Sequence, residues 1–105
     1  ASPQAKAFTA EFAKRSKAAN LPRTEPNQFD GAVYDIVYLY AEGMKRANVT
    51  GDKGKLAAER TALRDALAGI KDLPLLEGKI SFNADRDAVK PVYILEGRLI
   101  SSSRR

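Results

Sequence analysis

The sequence predicts an α/β chain: three helices followed by two short strands separated by a polar segment. Three observations predict it. Apolar residues recur at helical spacing through most of residues 3–70. The run Gly78-Lys79-Ile80-Ser81-Phe82-Asn83 alternates between apolar and polar positions, as a half-buried strand does. The run Val92-Tyr93-Ile94-Leu95 is apolar on both faces, which suits a strand covered on two sides.

Ser2 before Pro3 predicts a helix start, because Pro is tolerated in the first turn and Ser can accept from a free N–H there. Phe8 and Phe12 then share one face of an amphipathic surface helix that ends near Asn20. "NLPRTEPNQ" carries two prolines and several turn formers, and predicts an irregular connection. Asp30 is placed to cap the next helix, "GAVYDIVYLYAEGMKRA". Val33, Ile36, Val37, Tyr40 and Met44 form its apolar stripe, widened by Tyr34, Tyr38, Leu39 and Ala41. Only Asp35, Glu42, Lys45 and Arg46 mark a polar side, so this helix is expected in an interior.

"NVTGDKG" predicts a turn, with Thr50 or Asp52 capping a third helix. Leu56, Leu63, Leu67 and Ile70 make its apolar stripe; Glu59, Arg60, Arg64 and Asp65 are expected mainly to face solvent. Gly69 and "KDLP" end it, since a residue before proline is biased out of the helical region. The strand "GKISFN" follows, and "PVYILE" is the second strand, with its proline at the tolerated first position. The terminal "SSSRR" is expected to fray. Taken alone, "GKISFNADRDAVKPVYILE" also reads as a hairpin around a polar turn. The chain presents more apolar faces than three helices and two short strands can cover.

Composition removes several chemistries. The chain has 105 residues, 44% hydrophobic and 30% charged, which suits one modest globular unit. It has no cysteine and no histidine, so there is no thiolate nucleophile, no Cys-based zinc site and no imidazole base. The formal charge of +5 invites an acidic partner, but the cations are interleaved with acids rather than blocked. "ASPQAKAFTAEF" lacks the charged-then-apolar layout of a signal peptide.

The remaining motifs favour plain roles. Asn83, Asp85 and Asp87 alternate like the start of a calcium loop, but Ala88 stands where the turn glycine belongs and Ile94 where a bidentate Glu belongs. No metal or cofactor is expected. "GDKGK" has the wrong glycine spacing for a phosphate loop, and no Ser or Thr follows Lys55. Tyr34, Tyr38 and Tyr40 read as packing residues rather than a base-stacking platform. Asn48-Val49-Thr50 is a formal glycosylation triplet. Asp35, Glu42 and Glu59 lack any visible pocket, so an enzyme is not expected.

"YDIVYLYAEGMKRA" and "RTALRDALAGIKDLPLLEGKISFNADRDAVKPVYILE" resemble the C-terminal end of periplasmic solute-binding proteins of the branched-chain amino-acid type, the receptors of ABC importers. The resemblance spans roughly residues 5 to 97 and departs at Arg86, where the family commonly has Gly. It implies a C-terminal fragment of a two-lobed α/β fold. Residues 1–83 would belong to the first lobe, 84–90 to an interlobe crossover, and 91–105 to a strand of the second lobe and a tail. It further implies hinge residues Asp85, Asp87 and Lys90, and a cleft-facing loop with Phe29 against the solute. Asp30 beside it is a solute-binding candidate as well as a helix cap. The implied partners are an amino acid or aromatic carboxylate, an ABC permease and the remainder of the binding protein, in the periplasm. Self-association of the fragment is a further expectation, and no nucleic acid is expected. A small basic helical module binding nucleic acid or an acidic protein is the competing reading.

Overall fold

The computed structural model describes residues 2–99. Three helices, α1 (Pro3–Ala18), α2 (Gln28–Arg46) and α3 (Leu56–Ala68), precede three short strands, β1 (Leu73–Leu75), β2 (Gly78–Phe82) and β3 (Ala88–Val89). The strands form an antiparallel sheet in the order β1-β2-β3, with Leu73 opposite Ile80 and Ser81 opposite Val89. The α/β order predicted from the sequence holds. The tail "SSSRR" lies outside the described residues.

α1 and α2 start on polar caps, whereas α3 has no side-chain cap of its own. Ser2 Oγ accepts from Ala5 N at 3.1 Å, as predicted. The α2 cap is Asn27, not Asp30: Asn27 Oδ1 accepts from Phe29 N and Asp30 N, and Asp30 Oδ2 accepts from Asn27 N at 2.8 Å. Asp30 is thus the returning half of a capping box, and the cap lies three residues earlier than predicted. Asp52 caps a single 3-10 turn, Lys53–Lys55, that leads into α3.

The buried face of α2 differs from the predicted stripe. Gly31, Asp35, Leu39 and Gly43, each four residues apart, are the buried positions. Val33, Ile36, Val37, Tyr40 and Met44 are all exposed. The reason is steric. A Cβ on Gly43 would come within 2.8 Å of Leu67 Cδ2 and 3.0 Å of Leu63 Cδ1, so α3 crosses α2 over bare backbone. Tyr34 and Tyr38 occupy a further side of α2, where the Phe8 ring of α1 meets Tyr34 edge-on at 4.9 Å.

The strand region also departs from expectation. β1, "LPL", overlaps the "KDLP" expected to end the helix, and β3 lies within the expected polar connection. "PVYILE" has no regular structure: Val92, Tyr93, Ile94 and Leu95 are between 69% and 95% exposed. The hairpin suggested by the sequence exists, but β2 pairs with Ala88–Val89 rather than with residues 92–95. Ile70, between α3 and β1, is the one large side chain wholly removed from solvent among the described residues, and Leu39 is the other buried hydrophobe.

Glu59, expected to face solvent, organises the loop before α3. Its carboxylate accepts from Thr50 N, Thr50 Oγ1 and Gly51 N. The Thr50 hydroxyl, then its N–H, hold the Glu59 carboxyl below its ordinary value of 4.5. A depressed folded pKa adds stability that is complete above the unfolded value and lost as pH falls through the folded one. The difference in urea midpoint between the wild type and Glu59→Gln should therefore be flat above pH 4.5 and shrink below it. A difference that grows on acidification would overturn this role.

Candidate functional site

The turn Leu76-Glu77-Gly78 between β1 and β2 ties the helices to the polar segment. Asp35, on the buried line of α2, reaches it across 41 residues of sequence. Its Oδ1 accepts from Leu76 N at 2.8 Å and its Oδ2 from Glu77 N at 3.0 Å. Gly31 lets the start of α2 lie beside the same turn, with Glu77 Cδ and Leu76 Cδ2 3.7 and 3.8 Å from where its Cβ would be.

Residues 90–93 dock on the other side of this turn. Lys90 Nζ lies 3.5 Å from Glu77 Oε1, and Tyr93 Oη donates to Glu77 O at 3.3 Å. Gly78 has φ +123°, and a Cβ there would sit 2.8 Å from Pro91 Cγ. A side chain at 78 would meet both backbone strain and the Pro91 ring. The three predicted hinge residues thus have distinct placements. Lys90 is paired to Glu77, whereas Asp85 and Asp87 donate their backbone N–H groups to Asn83 Oδ1 at 2.9 Å. Arg86, in the same turn, has φ +67°, the left-handed conformation that Gly adopts freely and Arg does not. A glycine is thus what this backbone position favours.

Phe29 is in the first turn of α2 with its ring 69% exposed. Asp30 faces the connection between α1 and α2, where Arg23 Nη1 and Nη2 lie 2.5 and 3.2 Å from its two oxygens. The guanidinium, and after it the Asn27 N–H, hold the Asp30 carboxyl below its ordinary range. Its oxygens are occupied by this pairing and by the cap. Arg23 Nη1 also donates to Glu25 O, and its guanidinium lies 5.3 Å from the centre of the Phe12 ring. Sequence reading missed Arg23, Asp35 and Glu77. A charged residue inside an otherwise apolar helical run was the available signal for Asp35.

Between α2, α3 and the sheet lies an open trough of about 1000 Å³. Ile36, Leu39, Leu63, Leu67, Ile80 and Phe82 line its apolar floor. Phe29 and Asp30 are not among its walls, but Arg86 and Lys90 are. No curated protein and no solved structure matches the chain. A family model described as periplasmic binding protein matches residues 1–103, nearly the whole sequence. That match and the motifs "EGKISFN" and "DAVKPVYILE" agree: the chain belongs to the periplasmic binding protein family.

Proposed function

We propose that this chain is the C-terminal part of the solute-binding component of an ABC importer, and that it completes a cleft whose other wall lies outside these residues. The family accounts for the coarser role, periplasmic solute binding in transport, in which solute is held and passed on rather than converted. The finer reading takes branched-chain or related amino acids, or aromatic carboxylates, as the solute and an ABC permease as the receiver. Residues 1–83 then contribute to one lobe, 84–90 cross between lobes, and 91–105 enter the second.

The observation that carries this reading is uncovered apolar surface. Eight large hydrophobic side chains of α2 are exposed, and Val92 to Leu95 stand nearly bare. Scattered exposed hydrophobes are ordinary, but a whole helical stripe and an extended apolar run call for a covering partner. The Glu77 anchor also suits a crossover. Asn83 fastens its entrance and the Leu76–Gly78 turn its exit, so backbone rotation during lobe closure falls on the turn Ala84 to Asp87, ahead of the paired Ala88–Val89. Phe29 is the residue of this chain assigned to the solute, as an exposed ring at a helix start. Asp30 is assigned to holding that start, through Arg23 and Asn27, in place of direct contact. A nucleic-acid partner is disfavoured by the charge pattern, since Arg15, Arg23, Arg46 and Arg64 each face a carboxylate.

Calorimetry with leucine, isoleucine, valine and benzoate tests the proposal. The isolated 105 residues should show no micromolar binding, whereas a two-lobed polypeptide containing them should bind at least one probe. Micromolar affinity from the isolated chain would contradict the incomplete-cleft reading. Steeply salt-dependent DNA binding would favour the basic-module alternative.

A further inference from the structure

We infer that Arg23 is a positioning residue for solute binding, fixing the α2 N-terminus and thereby the backbone from which Phe29 projects. The inference rests on the assignment of Phe29 to the solute. With its ring 69% exposed, Phe29 is not held by burial. Where its Cα–Cβ bond points is set by its backbone, whose N–H donates to Asn27 Oδ1 at 2.9 Å. Asn27 is in turn held by Asp30 Oδ2, which accepts from Asn27 N at 2.8 Å. Both Asp30 oxygens are gripped by Arg23.

Arg23 makes three connections with one planar group. It donates to Glu25 O at 2.8 Å, bracing the irregular connection from within. It lies over the Phe12 ring at 5.3 Å, which fastens that connection to α1. It bridges to α2 through a two-pronged pairing that a lysine ammonium cannot reproduce. Leu21 to Pro26 has no helix or strand of its own, and this side chain ties α1, the connection and the start of α2 together, beside the Phe8–Tyr34 contact between the two helices. An exposed ring that must meet a ligand gains affinity from being fixed beforehand, because less ordering remains to be done on binding.

The test compares Arg23→Gln, Arg23→Lys, Phe29→Ala and the double variant Arg23→Gln/Phe29→Ala in the two-lobed polypeptide. The probe is whichever of leucine, isoleucine, valine or benzoate binds the wild type most tightly. Phe29→Ala should weaken binding by about tenfold or more, in line with loss of an aromatic anchor. Arg23→Gln should weaken it several-fold, Arg23→Lys should not restore it, and the double variant should be no weaker than Phe29→Ala alone. Unchanged affinity in Arg23→Gln beside a weakened Phe29→Ala overturns the inference and leaves the Phe29 assignment standing. Unchanged affinity in Phe29→Ala overturns both, and strict additivity in the double variant overturns the inference. A readout independent of ligand is amide exchange in the 105-residue chain. Phe29 and Asp30 N–H groups should exchange several-fold faster in Arg23→Gln, and unchanged rates would again overturn the role.

Discussion

Replacing Asp35 with Ala should destabilise the fold by about 2–4 kcal/mol, because two part-buried backbone N–H groups lose one shared charged acceptor. Asp35 is only 8% exposed, and it binds Leu76 N and Glu77 N at 2.8 and 3.0 Å. Water has limited access to replace it, and an alanine offers nothing in return. Asp35→Asn keeps one acceptor oxygen, so its loss should be roughly half as large on the same accounting. The two variants together separate lost packing from lost hydrogen bonding. The measurement is urea unfolding, paired with amide exchange at Leu76 and Glu77. An Asp35→Ala midpoint equal to the wild type would show that the turn is held by other contacts.

The consequence reaches past stability. The Leu76–Gly78 turn also receives Lys90, Pro91 and Tyr93, so Asp35 indirectly sets where the segment after Val89 leaves the sheet. In the proposed receptor that segment is the exit of an interlobe crossover. Asp35→Ala should therefore alter closure of the cleft as well as the melting of one lobe.

What the sequence made legible was local. Ser2, Pro3, Asp52 and the spacing of Leu63 and Leu67 mark their helices because caps and helical periodicity act over a few residues. The burial of α2 was not legible in the same way. Its apolar stripe from Val33 to Met44 is the stronger pattern, yet the buried line runs through two glycines, an aspartate and a single leucine. Glycine carries no apolar signal, and its value here is the close passage of α3, which depends on residues twenty and more positions away. Asp35 looks like part of a polar side in the sequence because its two partners lie 41 and 42 residues on.

The strands show the same limit. β1 and β3 contain three and two residues, too few for an alternating pattern to register, and β1 holds a proline. The run "PVYILE" carries the strongest strand signal in the chain but pairs with nothing among the described residues. A strand exists only through its neighbours, so high propensity without a partner leaves an exposed apolar segment. For the candidate site, the sequence reached Phe29 and the polar turn by family likeness. Arg23, whose grip on Asp30 is a matter of three-dimensional geometry, could not be found that way.

Ile70→Ala should cost about 2–4 kcal/mol, the range for emptying a fully buried aliphatic position. Ile70 is 0% exposed, and its carbonyl accepts from Phe82 N at 3.2 Å, so it sits where the end of α3 meets β2. With Leu39 as the other buried hydrophobe, the core is small, and a loss of that size is a large share of what a domain this short can have. Ile94→Ala supplies the internal contrast. Ile94 is 95% exposed, so in the isolated chain its truncation should change stability by no more than about 0.5 kcal/mol. In a two-lobed polypeptide the proposal places Ile94 in a covered strand, and the same change should then approach the cost of Ile70→Ala. Thermal and urea unfolding of both variants in both contexts would read this out. An Ile94→Ala effect that stays negligible in the longer polypeptide would show that residues 92–95 are not the strand that joins this chain to a second lobe.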